Sequence, residues 1–249
     1  MSPRPIVVGN PVSPYVRKVL AACAVKGVAV EIDPITPFLG ADAFDGISPL
    51  RRIPVWIEGD LILNDSTVIG EYIEETRPGP SLWPADPVHR AKARWLEEYA
   101  DTRLGELLIW KLFFRLALQP RLFGVDADPA ETELTKSQLP ETFDYLESVT
   151  PEAGYLFGPE TGLADFAVAA PFLNAAVIGV TVDPARWPRL AAWLDRMETS
   201  PLGPLNDAAR VLVRTPIKAQ RDRLPELGLI AAPCDYRGEA PRRGPMTPS

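Results

Sequence analysis

The chain has 249 residues, 46% of them hydrophobic and 24% charged, with a formal net charge of −7. That length supplies one large domain or two small ones with an ordinary globular core. The acidic balance opposes a phosphate backbone, and no apolar run approaches the ~20 residues that span a bilayer, so neither nucleic acid nor membrane is expected as a partner. Residues 1–5 lead straight into Ile6-Val7-Val8 without a signal-peptide pattern. Two cysteines, Cys23 and Cys234, fit a reducing cytoplasm. The single histidine, His89, has no nucleophile motif beside it, which argues against a Ser-His-Asp triad. One His with two distant Cys also argues against zinc, so no metal is expected.

Residues 5–9 read as a short buried strand. Residues 14–26 read as a helix, with Val16, Val19, Leu20, Cys23 and Ala24 on the apolar face and Arg17 and Lys18 opposite. A second strand is expected over 28–32 and a short helix over 41–47. Strands at 54–57 and 61–63 flank Gly59-Asp60, a hairpin signal. Residues 65–75 read as a helix that turns Val68, Ile69, Tyr72 and Ile73 inward. The order is β-α-β-α-β-β-α. Proline is dense over 77–87, and the domain boundary is placed so that 1–78 form the first domain and 79–87 the linker. Helical periodicity then dominates, with helices over 88–117, 130–149, 163–178, 187–199 and 203–213, and 88–215 are taken as an all-helical domain. Residues 216–249 carry repeated prolines and no sustained period, and are expected to drape on the surface or be disordered.

Three segments carry chemistry. In Asn10-Pro11-Val12-Ser13-Pro14-Tyr15, Ser13 and Pro14 suit N-cap and N1 of a helix; the same hydroxyl at a helix N-terminus could donate to a thiolate and favour its charged form. In Arg52-Ile53-Pro54-Val55, the proline fits either an edge strand or a cis peptide that leaves the Ile53 N–H and C=O for an extended peptide ligand. In Asn64-Asp65-Ser66-Thr67, the polar pair can cap a helix. It can also hold the carboxylate of an α-amino acid on Ser66 and the helix N-terminus, and its ammonium on Asp65.

Together these segments resemble the N-terminal domain of the glutathione S-transferase family: "SPYVRKV", "RRIPVW" and "LNDSTVIGEYIEE" occur in that family's order and spacing. The resemblance implies a thioredoxin-like α/β domain (βαβαββα) followed by an all-helical C-terminal domain. It aligns Ser13 with the catalytic serine of serine-type classes such as tau. Ile53 and Pro54 align with the cis-proline site that pairs with the cysteinyl part of glutathione. Asp65 and Ser66 align with the pair that holds its γ-glutamyl end, and Arg52 with a basic position that reaches the glycyl carboxylate. In the helical half, Gly158 to Asp165 followed by Pro171 resembles the family's folding signature. Gly162 stands where Ser or Thr usually caps, and Asp165 can still reach back to the Gly162 N–H.

The resemblance implies a cytoplasmic homodimer that uses glutathione as co-substrate in detoxification, with a hydrophobic electrophile between the domains. Tyr99, Arg103, Leu107 and Trp110, at helical spacing, are candidates to line that pocket, or else are core and solvated face. Serine at position 13 cannot form a mixed disulfide, which argues against thiol-disulfide exchange, and Cys23 reads as packing. Other glutathione-dependent reactions (dehalogenation, ether cleavage, isomerisation or peroxide reduction) and a non-catalytic binding or scaffold module on the same fold remain alternatives.

Overall fold

The computed structural model describes residues 3–247. The expected domain and tail assignments also cover 1–2 and 248–249, which lie outside the described residues. The chain divides into two compact units. One contains the described residues up to Pro80 and from Pro204 onward; the other is Ser81–Gly203.

The first unit opens with β1 (Ile6–Val8), α1 (Pro14–Val25) and β2 (Glu31–Asp33). Strand β2 starts later than the expected 28–32 because the end of α1 uses those residues. Gly27 turns back at φ 64, and the Val28 N–H is spent on the Cys23 carbonyl at 2.8 Å. Next come α2 (Asp42–Ile47), the hairpin β3 (Val55–Glu58) and β4 (Leu61–Asn64), and α3 (Ser66–Thr76). Gly59 supplies the positive φ of the hairpin turn. The expected β-α-β-α-β-β-α order is therefore present. Strand β1 pairs parallel with β2 and antiparallel with β3, which pairs antiparallel with β4.

A fifth strand corrects the expectation that residues 216–249 form a surface or disordered tail. Strand β5 (Ile230–Ala231) pairs parallel with β2, and the sheet order is β4-β3-β1-β2-β5. Tyr236 packs on the core cluster of Val8, Ile35, Phe44, Ile47 and Val55. The physical reason is the buried Asp33 carboxylate, which is fully shielded from solvent and needs a cation. Arg221, in the one-turn helix α11 (Gln220–Arg223), provides it at 2.6 Å, and the Tyr236 N–H donates to the second oxygen at 2.8 Å. Burial still pushes the Asp33 carboxyl up to about 6, although the Tyr236 N–H and the Arg221 guanidinium pull the other way.

Two further expectations need correction. Arg17 and Lys18 are not on a solvated face of α1: both are almost completely buried, whereas Ala24 is exposed. Arg17 Nη1 donates to the carbonyls of Pro11 (2.9 Å) and Val12 (2.8 Å), and Lys18 Nζ donates to Thr67 Oγ1 (3.1 Å). Their polar heads satisfy backbone and side-chain oxygens inside the unit, which is what allows burial. On α3, Ile69 and Ile73 face inward as expected, but Val68 is 49% exposed.

The second unit is helical. α4 (Pro87–Tyr99) runs on into a π-wound stretch (Ala100–Leu118) and α5 (Gln119–Phe123), closed by Gly124 at φ 66. The expected helix over 130–149 is two, α6 (Pro129–Lys136) and α7 (Leu139–Val149), because Pro140 cannot donate to a continuous ladder. Then follow α8 (Leu163–Val177) and α9 (Pro188–Met197); α10 (Leu202–Leu212) begins at the junction of the units. The Gly162 N–H donates to Asp165 Oδ2 at 2.9 Å, and the Leu156 N–H donates to Oδ1 at the same distance. Glycine at this cap has a steric reason: a Cβ would lie 2.6 Å from the Leu82 carbonyl oxygen. Burial pushes the Asp165 carboxyl up to about 6 against these hydrogen bonds.

Candidate functional site

Strand register gathers the three sequence segments at one end of the sheet. Val8 of β1 faces Val55 of β3, and Val55 faces Asn64 of β4. The chain leaving β1 toward Ser13, the chain entering β3 through Ile53-Pro54, and the chain leaving β4 into Asp65-Ser66 therefore all extend from one cross-strand row. Neighbouring strands lie about 4.8 Å apart, so that row spans roughly 10 Å.

Gly9 lets the first two segments meet. A Cβ there would lie 2.6 Å from Val16 Cγ2 and 3.0 Å from Ile53 Cβ, and its φ of +154° suits glycine. Asn10 then shapes the turn. Its N–H donates to the Ile35 carbonyl at 2.9 Å, its carbonyl accepts from the Ser13 N–H at 2.9 Å, and its Oδ1 accepts from the Val12 N–H at 2.9 Å. Ser13 occupies the N-cap position of α1, with Pro14 behind it, but its hydroxyl makes no capping hydrogen bond. The capping role of Ser13 is thus not realised. Among the described residues that hydroxyl has no hydrogen-bond partner.

The Ile53–Pro54 peptide is cis. Ser48, itself buried, holds the segment in place: its Oγ accepts from the Arg52 N–H at 2.9 Å and donates to the Arg52 carbonyl at 2.8 Å. Arg52 is exposed. Neither backbone polar group of Ile53 is hydrogen-bonded among the described residues. Arg51, which no local signal singles out, donates to the Gly40 carbonyl at 2.8 Å and pairs with Asp45.

At the third segment Asp65 caps α3. Its Oδ1 accepts from the N–H groups of Thr67 (2.8 Å) and Val68 (3.4 Å), and its backbone sits at φ 77, unusual for a residue with a side chain. The Asp65 side chain remains exposed. Ser66 is buried at the first position of the helix, and neither its hydroxyl nor its N–H has a partner among the described residues. A helix N-terminus with an uncommitted hydroxyl and N–H suits a carboxylate. Capping and ligand recognition therefore fall on different atoms of the pair.

The four residues expected from sequence to line a hydrophobic co-substrate pocket lie in the helical unit. Leu107 is completely buried in its core. Tyr99 is turned toward α7, its ring 4.6 Å from that of Tyr145, and burial holds its phenol above the usual range. Arg103 pairs with Glu106 (3.7 Å), and the Trp110 ring lies 6.0 Å from Phe114. Cys23 is buried in α1, and burial pushes its thiol up to about 12. Among the described residues no group of His, Cys, Asp and Glu is arranged to hold a metal ion, and no helix is long and apolar enough to cross a membrane.

Residues 7–81 match the family model of the glutathione S-transferase N-terminal domain, and residues 129–196 that of the C-terminal domain. Glutathione S-transferase 3 of Zea mays is 30% identical over 199 residues, covering 78% of this chain and 88% of its own. The chain belongs to the glutathione S-transferase family, with its thioredoxin-like N-terminal and helical C-terminal domains. A stringent starvation protein A homolog of Haemophilus ducreyi is 26% identical over 183 residues, covering 74% of this chain and 80% of its own. The fold is shared with a glutathione transferase homolog from drosophilia mojavensis solved with bound glutathione. That structure has a TM-score of 0.71 at 21% identity and covers 93% of this chain and all of its own.

Proposed function

We propose that the protein is a glutathione transferase in which Ser13 stabilises the glutathione thiolate for attack on a hydrophobic electrophile. The observation that carries this reading is the row Val8–Val55–Asn64, from which three uncommitted sets of polar atoms extend: the Ser13 hydroxyl, the Ile53 N–H and C=O, and the Ser66 hydroxyl and N–H. Two strand spacings, roughly 10 Å, match the reach of an extended tripeptide. In this reading an extended ligand takes the Ile53 backbone, in the middle of the row, as the partner of its middle residue, whose side chain is directed toward Ser13 while one end is directed toward the α3 N-terminus. The middle residue of glutathione carries the thiol, and its γ-glutamyl end carries the α-amino acid group that suits Ser66 and Asp65. Arg52 is the cation for the glycyl carboxylate.

A free thiol titrates near 8.5 and is mostly protonated at neutral pH. A hydrogen bond from Ser13 and the N-terminus of α1 favour the thiolate, and a tenfold gain in its ionisation needs only about 1.4 kcal/mol. Holding thiolate and electrophile together supplies the rest. We assign a homodimer and a cytoplasmic location on the family relationship alone.

The test is conjugation of glutathione to 1-chloro-2,4-dinitrobenzene by the wild type and Ser13→Ala, with glutathione binding measured by calorimetry. Normal binding with turnover at least about tenfold slower in Ser13→Ala supports the assignment. The similarity to a stringent starvation protein A homolog favours one second reading, a non-catalytic member of the family. Absence of glutathione binding by the wild type selects it, and binding without conjugation leaves other glutathione-dependent reactions.

A further inference from the structure

The turn that presents Ser13 is locked from the far end of the chain. Asn10 Nδ2 donates to Gln220 Oε1 at 2.6 Å, across 210 residues, and to the Pro34 carbonyl at 3.0 Å. Gln220 Nε2 in turn donates to the carbonyls of Leu212 (2.7 Å) and Thr215 (3.2 Å), where α10 ends. Both side chains are buried, Asn10 at 4% exposure and Gln220 at 5%.

This chain of hydrogen bonds fixes its own polarity. Two carbonyls face the nitrogen of Gln220, so its oxygen must point at Asn10. The Asn10 group that meets it, and that also meets the Pro34 carbonyl, must then be the NH2. Only Oδ1 remains to accept from the Val12 N–H. Reversing either amide would set donor against donor or acceptor against acceptor in a buried place. Arg17 holds the carbonyls of Pro11 and Val12 in the same turn. Every element of the turn between Asn10 and Ser13 is thereby tied, and one tie comes from α11.

We infer that Gln220 is a positioning residue for Ser13: through the Asn10 amide it holds the turn that aims the Ser13 hydroxyl, so the C-terminal segment supports the glutathione site from behind without touching the ligand. This rests on the reading of Ser13 as the thiol-stabilising group. It assigns no contact between Gln220 and glutathione. Loss of Gln220 should therefore change what the serine does to the thiol, with little change in how tightly the tripeptide is held.

The test uses full-length Gln220→Met, which keeps side-chain length without the amide, and Asn10→Asp, which keeps the acceptor to Val12 and removes the donor to Gln220. Amide hydrogen exchange at Val12 and Ser13 is read without reference to activity. Ultraviolet titration of bound glutathione and steady-state kinetics read the consequence. The expected result is faster exchange at both amides and a bound-thiol pKa higher by about one. With it kcat should fall roughly tenfold, the glutathione KM should change less than about twofold, and Ser13→Ala/Gln220→Met should be no slower than Ser13→Ala alone. Unchanged exchange and thiol titration in folded Gln220→Met overturns the inference. So does a double variant whose losses multiply. If Ser13→Ala behaves as wild type, the catalytic reading of Ser13 itself falls and the inference with it; the exchange data then still report whether the amide lock exists. A Gln220→Met chain that does not fold leaves the decision to Asn10→Asp, on the same readouts.

Discussion

Arg221 Nη2 lies 2.6 Å from Asp33 Oδ1, an ion pair that joins positions 188 residues apart and sits where the sheet gains its fifth strand. The same guanidinium donates to the carbonyls of Ala232 (2.7 Å) and Cys234 (2.7 Å), so one side chain binds the end of β2 and the chain that leaves β5.

Removing Arg221 leaves a buried carboxylate unpaired, a change that costs about 3–5 kcal/mol where the carboxylate is ionised. The folded-state pKa of Asp33, about 6, is above the ordinary aspartate value of 3.8. Stability from this group is thus fully present below the unfolded pKa and is lost as pH rises through about 6. Without the guanidinium that lowers it, the folded pKa rises further. Arg221→Ala should therefore be more destabilised at pH 8 than at pH 5 in urea unfolding, and equal losses at both pH values would contradict this account.

Ser13→Ala separates chemistry from capping. A realised serine cap is worth about 0.5–2 kcal/mol, but the Ser13 hydroxyl makes no cap bond. The variant should melt with the wild type, within about 0.5 kcal/mol, while glutathione conjugation falls about tenfold or more. A melting temperature lowered by several degrees would show that the hydroxyl is structural.

Asp65 makes two contributions that two substitutions distinguish. Asp65→Ala removes the acceptor for the Thr67 and Val68 N–H groups and places an alanine at φ 77, and should cost about 1–3 kcal/mol. Asp65→Asn keeps an acceptor and tolerates positive φ, so stability should hold while glutathione binding weakens about tenfold if the carboxylate pairs with the ammonium. Calorimetric titration of the asparagine variant decides the point; unweakened binding assigns Asp65 to capping alone.

Asp165 should show its own pH dependence. Its carboxyl, raised to about 6, contributes stability that is complete below the ordinary aspartate value of 3.8 and declines as pH rises through about 6. Asp165→Asn keeps the shape of the group and does not titrate, so the stability of the variant should not follow this pH dependence. The gap between wild type and variant should be wider at pH 4.5 than at pH 7.5, as measured by chemical unfolding.

Much of the first unit is legible from local signals. Ile6-Val7-Val8, Ser13-Pro14, Gly59-Asp60 and Asn64-Asp65 mark element starts and a turn through residue chemistry that acts over a few positions. The register of β1, β3 and β4 follows from that hairpin and one crossover, and it brings Ser13, Ile53 and Ser66 to one end of the sheet. What the sequence conceals is long-range partnering. Arg17 and Lys18 look like solvent-facing cations because nothing nearby in sequence reveals the carbonyls and the threonine that receive them. Ile230–Ala231 is too short and too proline-flanked for any period, and becomes a strand only because β2 offers an edge. Gln220 carries no signal at all until Asn10 and the end of α10 are placed around it.

The first unit is discontinuous, with all of Ser81–Gly203 inserted between its two parts. Synthesis therefore makes Asp33 long before Arg221. At about 5–20 residues per second, the 188 intervening positions correspond to a wait of roughly 10–40 s. During that wait the carboxylate has no arginine partner and β2 has an open edge. The helical unit leaves the ribosome complete before the sheet can close, so the nascent sheet must stay soluble, with one flank bare, while the other unit is being made.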